Sequence, residues 1–245
     1  MSGPYDKLFV IWADPDGRRS VVGELWRVPE GFAFGYDVDR LDEARDAGFQ
    51  LLPEFPALRG TADPYVSATL FHTFKNRLPA PERSDSRQTL TSWGVVSDDP
   101  MEILAKSGGV LLTDSIELAE HRAEDDDLSR PLSFRLSGQR HAASRADLQP
   151  GTELRLRRDP ENPRDPSATI LLTLGEVQVG WVPKQYSRLI ARHLDDGEDL
   201  TAHVERQLLL PEARGRAVVK IERRPAEHPV LRVAEPPAGG RAGPR

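Results

Sequence analysis

The stretch "RRDPENPRDPSATI", residues 157–170, falls into two unlike parts. Its first ten residues hold three prolines, at 160, 163 and 166, and two aspartates, at 159 and 165. Each proline fixes φ and removes a backbone donor, so this part is neither a helix interior nor a central strand. Ala168-Thr169-Ile170 then opens an apolar run, which reads as the start of a strand.

The flanks carry the same reading outward. "SFRLSG" (133–138), "TELRLRR" (152–158), "ATILLTL" (168–174) and "VQVGWV" (177–182) read as strands. "PKQYSRLIARHLDDG" (183–197) predicts one helix with Tyr186, Leu189, Ile190 and Leu194 on its buried side. "LTAHVERQLLL" (200–210) and "GRAVVKIERR" (215–224) read as closing strands. The second half is therefore a small β-rich domain with one main helix, of the kind that closes into a barrel.

The first half has a different texture. "LFVIW" (8–12), "VVGELWRV" (21–28) and "FAFGY" (32–36) predict a small antiparallel sheet, with Asp14-Pro15-Asp16-Gly17 as a turn. An acidic helix follows around "VDRLDEARDAGF", with Gly48 as its C-cap. "DPYVSATLFHTFKNRL" predicts a helix capped by Asp63 and Pro64, with Val66, Leu70 and Phe74 as its core stripe. "SDSRQTLTSWG" and "DDPMEILAKSGG" predict two more helices, the latter opening on Asp98 or Asp99 with Pro100 and closing at Gly108-Gly109. "AEHRAEDDDLSRP" (120–131) is charged and lacks apolar periodicity, which places a domain boundary near residue 128. The expected organisation is α+β and β-rich: a small α+β domain over 1–128, a β-barrel domain over 129–225, and a disordered tail over 226–245.

Composition narrows the function. The chain has 245 residues, a net charge of -6 and no cysteine, which excludes disulfides and thiolate zinc sites. Charge is uneven: 14 Lys+Arg against 24 Asp+Glu over 1–133, 10 against 11 over 134–205, and 9 against 4 over 206–245. An acidic protein does not coat nucleic acid non-specifically, but it can hold one strand in a local basic groove. The start of the chain does not read as a signal peptide and no window is long enough for a membrane helix, so a cytoplasmic location is expected. Walker-type loops, a nucleophile elbow and the protein-kinase set are missing. The six histidines are scattered and lack the spacing of a zinc hydrolase, and "AEDDDL" reads as a solvated linker rather than a metal cluster. The chain is expected to be non-enzymatic, with no cofactor and no metal; a hydrolase whose groups converge from afar is the minor alternative.

An ordered set of features in the second half carries a resemblance. Gly138-Gln139-Arg140-His141 ends the first strand, and Gly151 precedes a strand running into Arg157-Arg158-Asp159-Pro160. Asn162-Pro163 and Asp165 lead into the next strand, and Val179-Gly180-Trp181-Val182-Pro183-Lys184 leads into the helix. Over about residues 132–210 this resembles the HIRAN domain, known from helicase-like fork-remodelling proteins and from bacterial proteins. The resemblance implies an OB-like β-barrel. In its best-understood members it implies capture of a single-stranded DNA end through the 3′-hydroxyl.

Site residues follow from the resemblance position by position. The family's first-strand arginine falls on Arg140, and the next position, usually aromatic in DNA-binding members, is His141. The aromatic before the aspartate is replaced by Arg164, whose guanidinium can stack and pair with phosphate. Asp165 would accept the terminal hydroxyl, Trp181 is the ring before the helix, and Lys184 opens the helix. Bland readings stand beside these. Asp165 suits an Asx turn, Arg155 and Arg157 suit a solvent-facing strand face, Trp181 suits a core, and Lys184 suits a plain surface.

In order, "VVGELW", "FAFGYD", "QLLPEFPAL", "FHTFKNRLPAPERSD" and "WGVVSDDPMEILAKSGG" resemble the N-terminal subdomain of HipA-type toxin kinases, without the kinase core. That implies a regulatory or antitoxin-like partner role. Phe71, Phe74, Leu78 and Trp93 would be core, and Arg77, Glu82 and Arg83 would face a partner or simply sit at an exposed helix end. The leading expectation is a module that binds single-stranded DNA or DNA 3′ ends, in a setting of DNA repair or defence. The alternative is a protein-interaction subunit for a HipA-type kinase, helicase or nuclease.

Overall fold

A computed structural model of the chain describes residues 3, 5–79, 86–111, 113–138, 148–210 and 213–224. The sequence-predicted tail over 226–245, and Arg140, His141, Glu82 and Arg83, lie outside the described residues. Among the described residues no helix is long and apolar enough to cross a membrane, and no group of three His, Asp or Glu side chains could hold a metal ion.

The first half builds an antiparallel sheet of five strands. β1 (Lys7–Ala13) and β2 (Arg19–Val28) form a hairpin. At its tip the Asp14 carboxylate accepts from Arg18 N at 2.7 Å and the Asp14 carbonyl from Gly17 N at 2.8 Å, as the Asp-Pro-Asp-Gly turn predicts. β3 (Gly31–Tyr36), β4 (Tyr65–Ser67) and β5 (Ile116–Glu120) complete the order β4-β3-β2-β1-β5. Helix α1 (Val38–Asp46) starts under the Asp37 carboxylate, which accepts from Arg40 N. After α2 (His72–Lys75) and α3 (Ser86–Ser92), α4 (Pro100–Ser107) is capped by Asp99 and closed by Gly108 in the left-handed conformation.

The long helix expected over 63–78 is a difference. Tyr65, Val66 and Ser67 instead pair with Phe34, Ala33 and Phe32 on the sheet edge, and Val66 is 55 % exposed. Edge pairing offers these backbone groups partners that outweigh a weak local helix preference. The Tyr65 hydroxyl also accepts from Ala57 N at 2.8 Å and donates to Ala57 O at 2.9 Å. Helix begins only at His72, where the Glu54 carboxylate accepts from His72 N and Thr73 N. Strand β5 is a second element absent from the sequence reading.

The second half forms a six-stranded sheet: β6 (Leu132–Arg135), β7 (Glu153–Arg158), β8 (Thr169–Thr173), β9 (Gln178–Trp181), β10 (Leu200–Leu210) and β11 (Ala213–Arg223). The order is β6-β11-β10-β7-β8-β9, antiparallel throughout. Its two edges meet: Ser137 N donates to Trp181 O at 3.1 Å, and Trp181 N to Ser137 O at 2.9 Å. The sheet therefore curls into an OB-like barrel, which removes its open edges. Helix α5 (Lys184–Asp195) buries Tyr186, Leu189 and Ile190 against it, and Leu194 is partly buried there, as its periodicity predicts.

The two sheets share a core. Along β1, Leu8 and Val10 face the N-terminal helices, whereas Phe9 and Ile11 join the barrel core beside Phe134 and Tyr186. This is the alternation of a strand buried on both faces. The Tyr186 hydroxyl, fully buried, donates to Glu120 O at 2.5 Å. The connecting stretch 121–131 is not a solvated chain: Arg122 is 4 % exposed, bonded to Asp126 and to Pro131 O, and Leu128 is 3 % exposed.

Candidate nucleic-acid interface

The loop between β7 and β8 is built by its own polar residues. Asp159 N donates to Ala168 O, and Asn162 N to Asp159 O. The Asn162 carbonyl oxygen of the side chain accepts from Arg164 N at 3.1 Å, and Asp165 Oδ1 accepts from Ser167 N at 2.8 Å. Two successive Asx-type turns thus replace the ladder bonds that three prolines deny. Arg158 fixes the loop from below, donating to Ala168 O at 2.8 Å while its Nε meets Asp195 Oδ1 at 2.9 Å near the end of α5.

Asp165 is half-buried, and its Oδ1 is committed to the turn, so the bland reading describes one of its two oxygens. Among the described residues no donor reaches Oδ2. Arg164 is exposed, and among the described residues no carboxylate pairs with its guanidinium. Arg155 and Arg157 are exposed and both reach the Glu176 carboxylate, at 2.9 and 3.4 Å, which makes them part of the strand's solvent face.

Trp181 is half-buried and packs on Gly138. A β-carbon at Gly138 would lie 2.5 Å from Trp181 Cε3, and φ there is +71°, so only glycine fits both the space and the backbone. Opposite it, a β-carbon at Gly180 would lie 2.5 Å from Ser137 O, so the barrel seam closes backbone against backbone. The Trp181 indole nitrogen is buried, with no partner among the described residues.

Lys184 opens α5, its side chain 59 % exposed, with Nζ 2.6 Å from Glu43 Oε2 on α1. Sequence reasoning had no signal for this contact, which joins residues 141 positions apart.

Register brings these pieces to one end of the barrel. Ile170 pairs with Trp181, Val182 N donates to Thr169 O at 3.0 Å, and Ser137 pairs with Trp181. The 159–168 loop, the Trp181–Lys184 corner and Gly138 therefore border the same rim. Among the described residues no hydrogen bond or ion pair joins any two of Arg164, Asp165, Trp181 and Lys184. Arg140 and His141 follow Gly138 in sequence but lie outside the described residues. The rim offers an acceptor, cations and a ring, the chemistry that a nucleic-acid strand requires.

Comparison with known proteins gives a local match. The family model of the HIRAN domain matches residues 132–207. The crystal structure of the HIRAN domain of human HLTF is 20 % identical, with a TM-score of 0.32, over 38 % of this chain and 74 % of that one. A crystal structure of a protein from Lactobacillus plantarum is 19 % identical, with a TM-score of 0.30, over 38 % of this chain and 99 % of that one. No curated protein matches the chain. The family match thus assigns residues 132–207, and that stretch of the chain alone, to the HIRAN domain.

Proposed function

We propose that this chain is a non-enzymatic DNA-binding protein whose HIRAN domain holds single-stranded DNA, at a 3′ end, on the rim just described. The observation that carries the reading is Asp165 Oδ2, which has no donor among the described residues and lies on a loop whose register sets it at the same end as Trp181 and Lys184. In this reading Asp165 accepts the terminal hydroxyl, Lys184, Arg164 and Arg140 neutralise phosphates, and Trp181 and His141 present ring faces to bases. The resemblance to DNA-end-binding HIRAN members supports it. Fluorescence anisotropy on the full chain tests it. Binding to single-stranded DNA is expected to weaken steeply with salt, and to weaken further in Lys184→Ala and Arg140→Ala. Absence of binding at low salt to ends, single strands and duplex alike would refute the reading.

A further inference from the structure

A second polar feature lies away from the β7–β8 loop, at the seam between the two sheets. A cleft there is lined by cations from four elements: Arg19 of β2, Lys106 of α4, Arg135 of β6 and Arg206 of β10. Carboxylates meet most of these cations. Arg19 and Arg135 share Glu117. Glu120, on the wall, is taken by Arg122 at 2.9 Å and Arg130 at 3.3 Å, and Arg122 also meets Asp126. Arg206 pairs with Glu205 at 2.6 Å and donates to Lys106 O at 2.5 Å. Lys106, the fourth lining cation, lies over the Tyr5 ring at 5.9 Å, and among the described residues no carboxylate stands within ion-pair distance of it.

Two of these guanidinium groups sit where water is scarce. The side chains of Arg19 and Arg206 are only 11 % and 13 % exposed. The Nε of each is buried and has no acceptor among the described residues. Burying an N–H without an acceptor is costly even where the rest of the guanidinium has a carboxylate partner. Burial likewise pulls the Arg206 guanidinium below its usual range, the Glu205 carboxylate offsetting this only in part. An anion with several acceptor oxygens would relieve these costs together, and guanidinium forks match the oxygens of a tetrahedral oxyanion.

We infer that this cleft binds an oxyanion of the phosphate class, held by Arg206, Lys106 and Arg19 beside the Arg135–Glu117 pair. The inference stands on the cleft and does not rest on the DNA reading. Gln185, next to Lys184, also lines the cleft, so free phosphate and a backbone phosphate of a strand share the chemistry that would occupy it.

Thermal melting of the full chain tests it, with inorganic phosphate replacing chloride at fixed ionic strength. The expected result is a saturable rise in Tm. Its half-saturation shifts upward about tenfold in Arg206→Gln and in Lys106→Gln, the loss of one charge-assisted contact. Lys106→Gln covers the case in which Arg206→Gln fails to fold, since it leaves the backbone acceptor of Arg206 in place. A parallel arm adds a short single-stranded DNA lacking terminal phosphate: a rise that depends on Arg206 and Lys106 with DNA, but not with free phosphate, identifies a strand phosphate as the ligand. No saturable rise with either ligand, or a rise equal in wild type and both variants, overturns the inference.

Discussion

The Asp165 carboxylate serves two ends. Oδ1 closes the turn over Ser167, while Oδ2 has no donor among the described residues. Asp165→Asn keeps the turn acceptor and replaces the second oxygen with a donor. Its unfolding free energy in urea is expected to stay within about 0.5 kcal/mol of wild type. Any preference for a 3′-hydroxyl over a 3′-phosphate end should vanish with it. A variant that unfolds early would instead make Asp165 purely structural. The sequence left both readings of this aspartate open, because an Asx turn and an exposed acceptor look alike in a run of residue types. Trp181 was open in the same way; the answer, half-buried on Gly138, depends on a residue 43 positions earlier.

Helix α1 is acidic, and its Glu43 holds Lys184 at the rim. Both side chains are exposed, so the pair itself is weak. In the proposed function it competes with DNA phosphate for the lysine. Glu43→Gln should therefore raise affinity for single-stranded DNA about twofold to fivefold. Its log–log salt slope should steepen by about 0.7 if Lys184 gains a phosphate. Unchanged affinity and slope would remove Glu43 from the account while leaving the rim intact. At the other end of α5, the hydrogen bond from His193 holds the Glu198 carboxyl below its usual range. A carboxyl depressed in the folded state stabilises above its unfolded pKa, and that contribution is lost as pH falls through the depressed value. The acid limb of a stability–pH curve should flatten in Glu198→Gln; an identical limb would show that the pair contributes nothing. Elements whose signals are local were legible: the Asp14–Gly17 turn, the Asp99-Pro100 cap and the buried face of α5. Strands β4 and β5 were not, because each is an edge strand whose bonds come from partners far along the chain.

At the scale of the molecule, the two halves meet across a core and not across a thin linker. Phe9 and Ile11 of the first sheet pack with Phe134 and Tyr186 of the second half, and Tyr186 bonds to the backbone of β5. Burial raises the Tyr186 phenol pKa well above its ordinary value, consistent with a hydroxyl committed to the Glu120 carbonyl. Calorimetry of the full chain should show one transition, and Phe9→Ala should lower stability by about 3 to 5 kcal/mol with that single transition preserved. Two separable transitions, with only the first moved by Phe9→Ala, would contradict the shared core. The composition shift near residue 128 lies between β5, which ends at Glu120, and β6, which begins at Leu132. It carried no sign of the seam, whose ion pairs join Arg19 to Glu117 and Glu117 to Arg135 over long stretches of chain. The central claim remains that the barrel rim holds a DNA end. It is tested most directly by anisotropy of one labelled single strand presented with a 3′-hydroxyl and with a 3′-phosphate. The account predicts salt-sensitive binding of the hydroxyl end, weakened by the phosphate and by Lys184→Ala; equal binding of both ends, or none to either, would contradict it.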